Sequence, residues 1–201
     1  MEYYFTIEKR AVAEFKDRGS RFLAHAFPII SITDFKEQLR KLKEDHAKAA
    51  HHCFAYRIGT DKTIFRSMDD GEPAGTAGKP ILGQIDSKQL TDTAVVVVRY
   101  FGGTLLGVPG LINAYKMSAS LALQLTPIIQ KPVLVDHELN FDYTMINEVM
   151  IIVKRFNCVV KENEMQLFCK MVIGIPKKNL ENCLEKLEYV NGIEMKKVEI
   201  Q

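Results

Sequence analysis

The sequence predicts an α+β protein of two domains. Three observations carry that prediction. The chain has 201 residues, 47% hydrophobic and 26% charged, ordinary for a folded protein and long enough for one large domain or two small ones. Alternating apolar patterns and helical stripes interleave as far as Leu125. Prolines at 127 and 132 then mark a change of style, after which the patterns run β-α-β-β-α-β, the order of a ferredoxin-like unit. The boundary falls there, giving an N-terminal domain over residues 1–130 and a C-terminal domain over 131–201.

Tyr3, Phe5 and Ile7 alternate as a strand, followed by Ala11, Ala13 and Phe15. Asp17-Arg18-Gly19-Ser20 has turn chemistry, and an extended pattern resumes from Arg21 to Ile30, so a hairpin is expected. Ser31 or Thr33 caps a helix that places Phe35, Leu39, Leu42 and Ala49 on one stripe. Its opposite face carries Lys36, Arg40, Lys41, Lys43 and Glu44, a solvated surface. Strands are expected over Cys53–Ile58 and Thr63–Met68, around Gly59-Thr60-Asp61-Lys62. After a long irregular segment, Ile81, Leu82, Ile85 and Leu90 suggest a short helix. The apolar run Ala94–Val98 reads as a strand covered on both faces. Leu111, Ala114, Tyr115, Ser118, Leu121, Ala122 and Leu125 then form one helical stripe. Beyond the boundary come strand Val133–Tyr143, helix Thr144–Phe156, strand Cys158–Lys161 and strand Met165–Ile175. Helix Lys177–Tyr189, a stop at Asn191-Gly192 and strand Ile193–Ile200 complete the order.

Composition restricts the function. Twenty-seven Lys and Arg against 25 Asp and Glu give a formal charge of +2, too little for a generic polyanion binder. Residues 1–130 carry 17 basic and 14 acidic residues, and residues 131–201 carry 10 and 11, which leaves room for a local anion site in the first domain. Met1-Glu2-Tyr3-Tyr4 shows no basic or apolar signal region, and the four cysteines are widely spaced without a Cys-x-x-Cys pair. Reduced thiols in the cytoplasm are the expectation. The weakly charged stretch from Arg99 to Gln130 is interrupted by glycines and Pro109, which argues against a membrane span.

Two loops carry the candidate chemistry. Asp69-Asp70-Gly71-Glu72-Pro73-Ala74-Gly75-Thr76-Ala77-Gly78-Lys79-Pro80 packs three glycines and two prolines into one path. Its glycines would let backbone N–H groups approach an anion, and Lys79 would add a charge. It does not fit a Walker A loop, and a purely structural role stands beside a binding role. Arg99-Tyr100-Phe101-Gly102-Gly103 follows the buried strand and precedes a helix, without the spacing of a dinucleotide fingerprint. Arg99 would either bind phosphate or fasten the acidic loop through Asp70 or Glu72. His46, His51, His52 and Cys53 lack metal-ligand spacing, so no metal and no cofactor is expected. On a strand, His51 and His52 point to opposite faces, so only one can share a pocket with the loop.

These blocks together resemble the IMPACT/YigZ family. The resemblance rests on Ser20-Arg21-Phe22, His51-His52-Cys53, the Asp69–Pro80 loop and Val98-Arg99-Tyr100-Phe101-Gly102-Gly103-Thr104-Leu105-Leu106-Gly107, in matching order from about residue 10 to residue 126. Met68 before Asp69 and Val108-Pro109 depart modestly from its pattern. The resemblance implies an N-terminal α/β sandwich similar to the second domain of a small-subunit ribosomal protein and to translocation factor domain IV. It also implies a C-terminal domain similar to the last domain of elongation factor G. Eukaryotic members regulate translation through a protein partner that does not carry over to a bacterial-type chain; a general link to translation or RNA does.

The leading expectation is a non-enzymatic binding protein that contacts RNA, the ribosome, a translation factor or another protein partner. Its candidate contacts are Arg21, His51, His52, Asp70, Glu72, Thr76, Lys79, Arg99, Tyr100, Gly102 and Gly103. The alternative is a small-molecule hydrolase or phosphate-handling enzyme that uses the Asp69–Pro80 loop with His52.

Overall fold

The computed structural model describes residues 1–198 as a mixed α/β chain in two compact units. One unit is Tyr4–Lys131, and the other joins Met1–Tyr3 to the chain from Pro132 onward. Strand β1 (Tyr3–Ile7) pairs with β7 (Ile128–Pro132) in a two-stranded sheet. The sequence pattern missed β7, because a short, largely exposed strand bracketed by prolines lacks alternation and its partner lies at the start of the chain.

The first unit is built on a five-stranded antiparallel sheet in the order β2-β3-β6-β4-β5. Strands β2 (Ala11–Asp17) and β3 (Ser20–Pro28) form the expected hairpin. Arg18 and Gly19 both adopt positive φ (44° and 80°), the two-residue turn whose twist suits adjoining strands. Ser31 caps helix α1 (Ile32–Asp45), its side chain accepting the Asp34 N–H at 3.1 Å. Strands β4 (His51–Ile58) and β5 (Ile64–Met68), helix α2 (Gly78–Ser87), strand β6 (Thr93–Tyr100) and helix α3 (Gly107–Gln124) follow.

Strand β6 explains the layering. Val95 and Val97 pack with α2 and α3 residues such as Ile81, Ile85, Leu111 and Tyr115, whereas Ala94, Val96 and Val98 pack with Phe35 and Leu42 of α1. The strand is thus covered on both faces, each buried valine being about 1.5–3 kcal/mol more favourable than if exposed. The α3 stripe ends sooner than its pattern predicts. Leu125 lies past the helix end and is 61% exposed, while Ala119 and Leu123 take core positions.

In the second unit, β8 (Leu134–Asp142), α4 (Ile146–Arg155), β9 (Val159–Met165), β10 (Phe168–Pro176), α5 (Leu180–Glu188) and β11 (Glu194–Lys197) form an antiparallel sheet in the order β11-β8-β10-β9. Leu139, Phe141, Met171 and Ile173 meet Val149, Val153, Cys183 and Leu187 in its core. The β9–β10 turn falls at Gln166-Leu167, three residues later than the sequence suggests. Glu162-Asn163-Glu164 looks like a turn, but β9 is an edge strand whose seven residues are all exposed, so polar side chains cost little there. The expected continuation of the last strand through Glu199 and Ile200 lies outside the described residues. Among the described residues, no helix is long and apolar enough to cross a membrane.

Candidate functional site

Strand register brings the candidate segments to one end of the five-stranded sheet. Arg21 pairs with Tyr100, His51 with Arg99, and Phe54 with Met68. The start of β3, the end of β6, the start of β4 and the end of β5 therefore lie side by side, and the Asp69–Ala77 loop leaves from that edge.

The loop is folded around its own first carboxylate. Asp69 Oδ2 accepts the Gly75 N–H at 2.9 Å, while Oδ1 accepts those of Ala77 (3.0 Å) and Gly78 (2.8 Å). Burial opposes the charge, but these three amides, helped by Lys79, outweigh it and hold the Asp69 carboxyl below its usual range. Thr76 is buried and closes a turn inside the loop, its hydroxyl donating to the Pro73 carbonyl at 2.7 Å. Gly78 begins α2 so close to β5 that a Cβ there would sit 2.6 Å from the Met68 nitrogen. Three of the loop amides that the sequence offered to an external anion, those of Gly75, Ala77 and Gly78, already bind an internal one. Lys79, just beyond them, is exposed.

Glu72 organises the α2/α3 side of this sheet end. Its Oε1 accepts hydrogen bonds from Arg99 Nη1 at 2.5 Å and the Tyr115 hydroxyl at 2.7 Å, with His51 Nε2 at 3.8 Å. Glu72 and Arg99 are both nearly inaccessible, with side chains 3% and 6% exposed. The Arg99 guanidinium lies 5.4 Å from the Phe22 ring centre and 5.6 Å from that of Phe101. Of the partners open to Arg99 in the sequence, the structure selects Glu72. Cys53 Sγ lies 3.3 Å from the Tyr115 oxygen and 3.0 Å from the Asp69 carbonyl. Burial pushes the Cys53 thiol up to about 12 and raises the Tyr115 phenol as well, so both stay protonated at neutral pH.

Asp70 reaches both histidines. Its carbonyl accepts from His51 Nδ1 at 2.8 Å, and its carboxylate accepts the His52 backbone N–H at 2.7 Å. The rings diverge as strand geometry requires, yet the loop touches both residues, because main chain and side chain of Asp70 serve different ones. The His52 ring is buried, which lowers its pKa. Lys43 of α1 approaches Asp70 at 3.5 Å.

The remaining candidates lie apart from Glu72. Arg21 and Tyr100 occupy the α1 face, where the guanidinium is 5.8 Å from the Tyr100 ring centre. Arg21 Nε donates to Glu14 at 2.6 Å, and the Tyr100 hydroxyl lies 2.9 Å from His46 Nδ1. Gly102 is a close-approach position, since a Cβ would fall 1.9 Å from the Gly19 carbonyl carbon. Gly103, in the same turn, has open space where a side chain would project. Asp69, Cys53, Tyr115 and His46 were not among the candidate contacts, although His46 and Cys53 were weighed as metal ligands and Asp69 opens the loop. Tyr115 did carry a signal: a hydroxyl within an apolar helical stripe needs a buried partner.

Comparison with known proteins agrees with the blocks that carry the resemblance. Residues 18–123 match the model of the Impact N-terminal domain. The chain is 35% identical to the IMPACT family member YvyE of Bacillus subtilis over 79% of this chain and 73% of that one. It is 33% identical to an IMPACT family member of Haemophilus influenzae over 90% and 89% of the two chains. A crystal structure of a hypothetical protein aligns over 100% of both chains with 27% identity and a TM-score of 0.79. The matched span contains β3, the paired histidines and both loops of the sheet end, and the chain belongs to the IMPACT family.

Proposed function

We infer that this chain is a non-enzymatic, cytoplasmic binding protein that acts in translation by contacting structured RNA of the ribosome. The observation that carries this reading is the internal use of the loop's acids. Asp69 is bound by three amides, Glu72 by Arg99 and Tyr115, and Asp70 by the His52 amide. General acid–base work needs carboxylates that can reach a substrate proton; these are engaged in holding the loop. The same fact weighs against hydrolysis or phosphate handling within the loop. Contact falls to the accessible members of the sheet end: Arg21, Lys79 and Tyr100, with Gly103 allowing close approach. Arg99, His52 and Thr76 position the loop.

The first unit corresponds in this reading to the IMPACT-type domain, similar to the second domain of a small-subunit ribosomal protein. The second, with its β-α-β-β-α-β order and β11-β8-β10-β9 sheet, is a ferredoxin-like domain similar to the last domain of elongation factor G. Titration with structured RNA at two salt concentrations tests the reading. Affinity is expected to fall as salt rises and to weaken in Arg21→Ala. Equal, negligible affinity at both salts would overturn it.

A further inference from the structure

Helix α1 leaves part of its sheet face uncovered. Strand β5 lies at the edge of the sheet, and Ile64 and Met68 on its α1-facing side are 45% and 36% exposed. Between α1 and β5 runs a groove of about 200 Å³. Ile32, Leu39 and Met68 make its accessible apolar surface, over the buried rings of Phe35, Phe54 and Tyr56, with Phe35 centred 4.8 Å from Phe54 and 4.7 Å from Tyr56. Lys36 and Lys43 rise from α1 on one side and Arg66 from β5 on the other, against a single acid, Asp70. Lys43 pairs with Asp70 at 3.5 Å. Among the described residues, Lys36 and Arg66 have no carboxylate within salt-bridge distance. A second, shallower depression of about 500 Å³ continues along α1 and shares Lys36, Leu39 and Lys43 with the first.

We propose that this α1–β5 groove docks an acidic peptide segment of a partner protein. A large aliphatic or aromatic side chain of that segment seats on Ile32, Leu39 and Met68, and flanking carboxylates pair with Lys36, Lys43 and Arg66. The argument is charge complementarity joined to shape. Two cations unpaired among the described residues and a third shared with Asp70 surround an apolar floor, so an apolar anchor alone would leave them unused. An anchor in a pocket with charged contacts at its rim is the ordinary layout of a protein interface. The continuation along α1 gives room for several residues rather than one small ligand. A nucleic acid would satisfy the cations but leave the apolar floor poorly used. This surface is separate from the contacts assigned to RNA.

The test is an NMR titration of the full chain with an end-blocked nonapeptide, a central leucine flanked by aspartates. Saturable amide shifts in α1 and β5 are expected, with affinity at least about tenfold above the same peptide carrying lysines for aspartates. Lys36→Glu and Arg66→Glu should each weaken binding about two- to fivefold, whereas Lys154→Glu in the other unit should not. Thermal unfolding of each variant checks that the fold is intact. The proposal is overturned by equal binding of the lysine peptide, by shifts confined to other elements, or by absence of saturable binding. Displacement of the peptide from these residues by an oligouridylate of equal charge would likewise overturn it, marking a general polyanion surface.

Discussion

Replacing Asp69 with Asn changes one oxygen to an NH2 group and removes one charge, with the shape retained. The Asn oxygen can still accept from Ala77 and Gly78, but as a neutral acceptor, and the new NH2 group faces the Gly75 N–H donor. Hydrogen bonds to a charged group contribute about 1.5–3 kcal/mol each and neutral ones about 0.5–1.5 kcal/mol. One bond is lost and two are weakened; relief from burying a charge offsets part of this, leaving a destabilisation of roughly 2–4 kcal/mol. Urea unfolding measures it: at a slope of about 1–3 kcal/mol per molar, the midpoint should fall by roughly 1 M or more without a change of slope. The difference also has a definite pH dependence. Asp69 has a depressed pKa in the folded chain, so its contribution is complete above the ordinary 3.8 and is lost as pH falls through the folded value. Wild type and Asp69→Asn should therefore converge in strong acid. A loss below about 0.5 kcal/mol at neutral pH, the ordinary scatter of surface substitutions, would refute the claim that this carboxylate holds the loop together.

Glu72→Leu should cost about 3–5 kcal/mol, because Arg99 is left buried without its carboxylate; calorimetric unfolding would read this as a clear fall in Tm. Gly102→Ala should be poorly tolerated, since the new Cβ meets the Gly19 backbone; a loss of about 1–3 kcal/mol or more is expected in chemical denaturation. His25 is buried, and burial first and the neighbouring His46 next lower its pKa from 6.5 to about 4. An unfolded His25 takes up a proton below pH 6.5 while the folded one resists until about pH 4, so stability should decline across that interval, by up to about 3 kcal/mol. His25→Phe should flatten that part of the stability–pH profile.

Much of the fold was legible because its signals are local. The Arg18-Gly19 turn, the Ser31 cap and the doubly buried Ala94–Val98 run each show in a few adjacent residues. Strand β7 and the β9 end were not, because a partner distant in sequence and an edge position free of burial, respectively, determine them. The site divides in the same way. The segments at the sheet end could be named from their residue types. Which acid takes which partner could not, because Glu72 meets Tyr115 across 43 positions and Arg99 across 27. Asp69 illustrates the limit: its neighbour Asp70 has the same charge, and only the path of the chain decides which of them turns inward.

If RNA is met at the accessible surface of this sheet end, the Gly75, Ala77 and Gly78 amides, already bound to Asp69, stay out of the contact. An NMR titration of the full chain with structured RNA, repeated at two salt concentrations, tests both halves at once. Salt-sensitive shifts are expected at Arg21, Tyr100 and Lys79, with the amides of Gly75, Ala77 and Gly78 unmoved. Saturable movement of those three amides on adding RNA, with Arg21 and Tyr100 silent, would contradict it.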